Sequence, residues 1–163
     1  MASLILRTPE ETRRLAAALA ELLCASTVRA VLLYGPLGSG KTLFTSGLVR
    51  ALPGGAQAEV ASPSFSLCNR YPTRPPVLHG DLYRCAGDPE EVPEELLVGL
   101  ETPELLVVLE WAEYLPREEM PQEYLDIRLQ PCDKGRLLTL HSHGPCAGEV
   151  SGHLFDNAAW TQF

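Results

Sequence analysis

The chain has 163 residues, a length that suits one domain with a real core. Its apolar share of 45 % is ordinary for a globular protein, and no run approaches the ~20 apolar residues that a membrane span needs. The net charge of −8 argues against strong direct binding to a nucleic-acid backbone and leaves docking on a partner protein open.

Met1 to Arg7 lacks a basic region followed by a long apolar stretch, so no secretory signal is expected, and cytoplasm is the expected compartment. Thr8-Pro9-Glu10-Glu11 reads as a helix start: Thr8 caps, Pro9 takes the first helical position, and Glu11 closes a capping box. Leu15, Leu19, Leu22 and Leu23 then share one helical face, which reads as packing. The five cysteines, Cys24, Cys68, Cys85, Cys132 and Cys146, form no C-x-x-C pair, and free thiols are expected rather than a zinc site or disulfides.

Val31-Leu32-Leu33-Tyr34 runs straight into Gly35-Pro36-Leu37-Gly38-Ser39-Gly40-Lys41-Thr42, followed by the apolar helix formers Leu43, Phe44, Leu48, Val49 and Leu52. Strand, Gly-x-x-x-x-Gly-Lys-Thr and helix N-terminus come in the order of a phosphate-binding loop. Gly35, Gly38 and Gly40 permit backbone angles that turn successive N–H groups, Ser39 among them, toward one anion. The helix start adds unpaired N–H groups and the positive end of its dipole. Lys41 brings a full charge to the β- and γ-phosphates, and the Thr42 hydroxyl is a hard oxygen ligand suited to Mg²⁺. Pro53-Gly54-Gly55 ends the helix.

Ser62-Pro63-Ser64-Phe65 reads either as a switch that senses a γ-phosphate or as an ordinary Ser/Pro turn. Residues up to Leu67, the turn Tyr71 to Pro76 and the run Val77 to Arg84 suggest an antiparallel hairpin beside the main sheet. Asp88-Pro89-Glu90-Glu91 resembles a second helix start, limited by Pro93, with Leu96, Leu97 and Leu100 on a short helix after it. Leu105 to Leu109 is an unbroken apolar run, as in a central strand buried on both faces, and it ends in Glu110-Trp111. Leu125, Ile127 and Leu129, a turn at Asp133-Lys134-Gly135, then Leu138 and Leu140 predict a second hairpin at the sheet edge. The expected architecture is α/β, a mostly parallel sheet flanked by helices with antiparallel hairpins at the edge. A nucleotide-binding domain spans 1–141 and a loose tail 142–163.

A phosphate-loop enzyme needs a carboxylate at a neighbouring strand end, opposite the Thr hydroxyl. Glu110 is the candidate for magnesium, and Asp81 for positioning the attacking water; either also reads as a solvated strand-end acid. Trp111 reads as cover for a nucleotide, as a partner surface or as packing. His141, His143 and His153 hint at a metal but fall among small polar residues.

The set Gly35 to Thr42, Ser62-Pro-Ser-Phe65, His79-Gly-Asp-Leu-Tyr-Arg84 and Leu109-Glu-Trp111, in that order, resembles the TsaE (YjeE) family, the bacterial ATPases of tRNA threonylcarbamoyladenosine biosynthesis. The resemblance covers about residues 8–141. It implies a P-loop fold, ATP and Mg²⁺ as ligands, and work with TsaD and TsaB on adenosine 37 of tRNAs reading ANN codons, with tRNA met only through that complex. It further implies that Lys41 and Thr42 hold phosphates and magnesium, that Glu110 is the magnesium-side acid, and that Asp81 is needed for hydrolysis. Ser62 and Ser64 fall in the switch, Trp111 lies near the site, and Arg136 lies near the nucleotide. Pro36, Ser39 and Ser64 depart from the usual family residues. A small-molecule kinase is the competing reading, but no arginine-rich lid segment follows the central strand. A GTP switch would need Asn-Lys-x-Asp, which is absent.

Overall fold

In the computed structural model, residues 1–63, 65–86 and 88–156 are described. In chain order the elements are β1 (Ala2–Leu6), α1 (Pro9–Cys24), β2 (Ala30–Tyr34), α2 (Lys41–Ala51), β3 (Cys68–Tyr71), β4 (Val77–Asp81), α3 (Glu94–Glu101), β5 (Leu106–Glu110), β6 (Tyr124–Cys132), β7 (Gly135–His143) and α4 (Pro145–Asp156). Short 3₁₀ turns fill several of the connections.

The apolar runs of β2 and β5 sit where such runs must, in the middle of a seven-stranded sheet ordered β1-β7-β6-β2-β5-β4-β3. β6, β2, β5 and β4 run parallel to one another, and β3, β7 and β1 each pair antiparallel with their neighbours. Alternation splits each central strand between two cores. Val31 and Leu33 of β2, with Val108 of β5, face α1, α2 and α4, whereas Leu32, Val107 and Leu109 face α3 and the turns on the other side. The sheet is thus the middle of three layers.

Local chemistry fixes α1 as expected. Thr8 Oγ1 accepts from the Glu11 N–H at 3.2 Å, and Glu11 Oε2 accepts from the Arg7 N–H at 2.6 Å, one residue earlier than the usual reciprocal bond. Leu15, Leu19 and Leu23 are buried on the core face with Ala16 and Ala20 between them. Gly47 lets α2 approach closely, since a Cβ there would lie 3.0 Å from both Ala16 Cβ and Arg13 Cα.

Two expectations are corrected, and one between them holds. The β6–β7 hairpin is not the sheet edge: β6 is inserted beside β2, with Leu33 opposite Ile127, and β1, which the sequence did not announce, pairs with β7 and takes the edge. Asp88 to Glu91 is cut short as Pro93 implied: a 3₁₀ turn at Pro89–Glu91 precedes the short helix α3, because Pro93 has no N–H to continue a ladder. The tail from 142 is not loose over its first part: β7 continues to His143 and α4 follows. Ala147, Val150 and Leu154, spaced three and four apart, are buried against the main core. The Glu123 carboxylate caps α4 from outside, accepting from the Cys146 and Ala147 N–H groups at 3.4 and 3.0 Å. Residues 157–163 lie outside the described part of the chain. Among the described residues no helix is long and apolar enough to cross a membrane.

Candidate functional site

The site forms where β2, β4 and β5 end together at their C-terminal edge, the usual ligand side of a parallel sheet. Leaving β2, the chain turns at Gly35 (φ 139°), where any Cβ would collide with the Leu129 carbonyl of β6. It enters α2 through Gly40, whose left-handed φ of 105° a side chain would strain, and whose missing Cβ leaves room for Arg136 Nε at 3.0 Å. From β7, Arg136 Nε donates to the Ser39 carbonyl at 2.7 Å, so the loop is held from a strand far along the chain. The Ser39 N–H donates to the Pro36 carbonyl at 3.1 Å, and its hydroxyl is buried without a partner among the described residues.

Lys41, the first residue of α2, is almost wholly buried. Its Nζ donates to the Gly35 and Pro36 carbonyls at 2.6 and 3.1 Å, and lies 4.0 Å from the centre of the Trp111 ring. The ammonium is thus satisfied by the loop's own carbonyls and an aromatic face. Burial pulls its pKa below the usual lysine value, and Glu110, Glu113 and Asp81 pull it partly back. Trp111 itself stands in the left-handed region (φ 57°) and packs on Tyr83, with ring centres 4.9 Å apart.

Two carboxylates face this lysine. Asp81 ends β4 opposite Glu110 at the end of β5, and both are nearly inaccessible. Thr42 Oγ1 donates to Glu110 Oε2 at 2.9 Å. The other oxygen, Oε1, lies 2.8 Å from His79 Nε2 and 3.5 Å from Thr45 Oγ1. Asp81 accepts from the Ser62 hydroxyl at Oδ2 and from the Tyr83 N–H at Oδ1, the latter at 2.9 Å. A threonine hydroxyl beside a carboxylate is an all-oxygen donor pair that fits a hard cation such as Mg²⁺. Among the described residues there is no cluster of three or more His, Cys, Asp or Glu side chains that would hold a metal by protein ligands alone.

These groups line a cleft of about 460 Å³, of the size that small-molecule sites occupy. Gly38, Gly40, Lys41, Thr42, Ser62, Asp81, Glu110 and Trp111 all border it, together with Leu37, Leu43, Tyr83 and Arg84. Gly35, Ser39 and Arg136 brace the loop and do not border the cleft. Ser64 lies outside the described residues. His143 stacks on Tyr124 with ring centres 4.1 Å apart.

The sequence reading missed His79 and Thr45 as members of the site. Thr45 lies one turn after Lys41, so helical spacing alone could have placed it. For His79 the signal was alternation: two residues before Asp81 on one strand, it shares the Asp81 face.

The family model described as "Threonylcarbamoyl adenosine biosynthesis protein TsaE" matches residues 6–138. A Mycobacterium tuberculosis protein named tRNA threonylcarbamoyladenosine biosynthesis protein TsaE is 35 % identical over 129 residues, spanning 74 % of this chain and 74 % of its own. A Nostoc protein of the same name is 36 % identical over 140 residues, 83 % of this chain and 82 % of its own. The crystal structure of Bacillus subtilis YdiB superimposes with a TM-score of 0.71 at 27 % identity, over 95 % of this chain and 94 % of that one.

Proposed function

Because the chain belongs to the family of threonylcarbamoyl adenosine biosynthesis proteins TsaE, we propose that it binds ATP with Mg²⁺, hydrolyses it, and serves threonylcarbamoylation of adenosine 37 in tRNAs reading ANN codons. It acts in the cytoplasm with TsaD and TsaB, and meets tRNA through them. The observation that carries the reading is the convergence of Lys41, Thr42, Asp81 and Glu110 on one cleft at the end of a glycine loop.

The loop N–H groups at the start of α2 bind the phosphates through direct bonds and the helix dipole. Lys41 exchanges its bonds to the Gly35 and Pro36 carbonyls for phosphate oxygens. Thr42 and Glu110 are the residues that would hold Mg²⁺, which supplies charge neutralisation on the phosphate oxygens. Asp81 orients the water that attacks the γ-phosphorus and takes up its proton. Ser62, bonded to Asp81, ties the switch segment to that step. Arg84 borders the cleft with its guanidinium over the Phe65 ring, and among the described residues no arginine side chain is bonded to Asp81 or Glu110. An arginine aimed at the transferred group is worth on the order of 10³-fold or more in rate. Slow hydrolysis by the chain alone follows, with acceleration when a docked partner orders the switch and excludes water.

The test is a steady-state ATPase assay of the chain alone and with TsaB, TsaD and tRNA. Stimulation by the pair is expected. Fast turnover alone, unchanged by the pair, would refute this reading and reopen that of a free-standing enzyme.

A further inference from the structure

His79 is out of character with its surroundings. β4 is buried at every position, and the five-residue strands β2 and β5 carry only alanine, valine and leucine before their polar ends. His79 is fully buried on the face that also carries Val77, opposite Val108 of β5. An apolar side chain would fill that space without a partner, whereas a buried imidazole costs free energy unless it is hydrogen-bonded. Its bond goes to Glu110, Nε2 to Oε1 at 2.8 Å, while Nδ1 has no partner among the described residues. Nothing else in the described core repays the polar ring: its aromatic neighbour is Tyr71, stacked with centres 6.3 Å apart.

The geometry points to His79 as the positioning residue that aims Glu110 at the metal side of the cleft. The inference rests on the reading of Thr42 and Glu110 as the magnesium pair. A glutamate has three side-chain torsions, the last of them soft, so a strand-end carboxylate does not hold its direction unaided. Here each oxygen is held from a different side. Thr42 donates to Oε2 at the cleft and keeps its own lone pairs for a cation, while His79 takes Oε1 from within the sheet. A carboxylate only accepts, so Nε2 carries the proton in this bond. Buried partners of this kind orient the groups that meet a metal, and removing one lowers metal affinity by about 10- to 100-fold.

The experiment is calorimetry of ATP binding to the full chain, with Mg²⁺ and with EDTA. The variants are His79→Leu, similar in bulk and without a donor, and His79→Gln, whose amide nitrogen reaches where Nε2 stands. In His79→Leu the affinity in EDTA should stay within about twofold, and the gain that Mg²⁺ brings should shrink by about 10-fold or more. His79→Gln should recover most of that gain. If circular dichroism shows His79→Leu unfolded, His79→Asn replaces it, being polar but too short to reach Glu110. A Mg²⁺ gain that survives unchanged in the donor-free variant overturns this inference alone. Equal losses with and without Mg²⁺ also overturn it, since they mark a purely structural histidine. Wild-type protein that binds ATP with no Mg²⁺ gain at all overturns the metal-side reading beneath it.

Discussion

Asp81→Asn separates holding the site together from performing its chemistry. Asp81 accepts two bonds, from Ser62 Oγ at Oδ2 and from the Tyr83 N–H at Oδ1. Asparagine is isosteric. Its carbonyl can keep the Tyr83 bond, and the Ser62 hydroxyl can rotate to accept from the new amide. Each bond falls from charge-assisted to neutral strength, a loss of about 1 kcal/mol apiece. Removing one of two negative charges that stand opposite each other at the ends of β4 and β5 offsets part of that loss. The net cost is at most about 2 kcal/mol, or a fall in Tm of about 4–8 °C for a chain of this size. The amide cannot take a proton from water, however, and a positioned base is worth about 10²–10⁴-fold. The expected result is a kcat at least about 100-fold lower, an ATP affinity near that of the wild type by calorimetry, and a modest Tm shift by differential scanning. An unchanged kcat would refute the role given to Asp81. A parallel loss of ATP affinity would show instead that Asp81 binds the nucleotide.

Lys41→Ala should abolish ATP binding in calorimetry or weaken it by about 10-fold or more, since a charge-assisted contact is worth about 1.5–3 kcal/mol; unchanged affinity would sink the phosphate-loop assignment. The lowered Lys41 pKa means that the unfolded chain holds this proton more tightly than the folded one. The charge therefore destabilises the fold at neutral pH, and that penalty fades as pH rises toward 10.5, the usual lysine value. Any Tm gain of Lys41→Met over wild type should accordingly narrow between pH 7.5 and 10.5, and a gap that widens would reverse the sign argued here. Glu110→Ala should flatten the Mg²⁺ dependence of ATP hydrolysis more than it weakens ATP binding in EDTA; a magnesium titration identical to the wild type would move the metal role to Asp81. Val150→Asp places a charge on the buried face of α4 and should lower stability in urea melts by about 3 kcal/mol or more, whereas a change below about 0.5 kcal/mol would mean that α4 is not part of the core.

What could be read from the residues was local, and what could not was long-range. The α1 cap, the glycine loop and the unbroken run of β5 declare themselves within a dozen residues, because caps, turns and periodicity are short-range physics. Asp81, Glu110 and Thr42 were legible for the same reason, each sitting at a recognisable strand end or helix start. β1 was not: Ala-Ser-Leu-Ile-Leu is short, partly exposed and a strand only because β7 lies beside it. β6 reads as an edge hairpin strand until β2 is seen to accept it. α4 carries glycines at 148 and 152 and only three buried anchors, and its cap comes from Glu123, which no local pattern could supply. His79 reads as one more residue of a buried strand until the parallel register brings Glu110 within reach of its ring.

The insertion of β6 beside β2 has a consequence during synthesis. β2 and the glycine loop leave the ribosome early, yet β6 emerges about ninety residues later, a delay of roughly 5–20 s at usual elongation rates. Through that interval β2 lacks the strand whose Leu129 carbonyl packs against Gly35, and the loop lacks the Arg136 guanidinium that grips it. If the loop needs these C-terminal braces, ATP should stabilise finished chains and not nascent ones. A ribosome stalled before residue 124 should present a chain that neither retains ATP nor resists protease, and release of the remaining strands should confer both properties together.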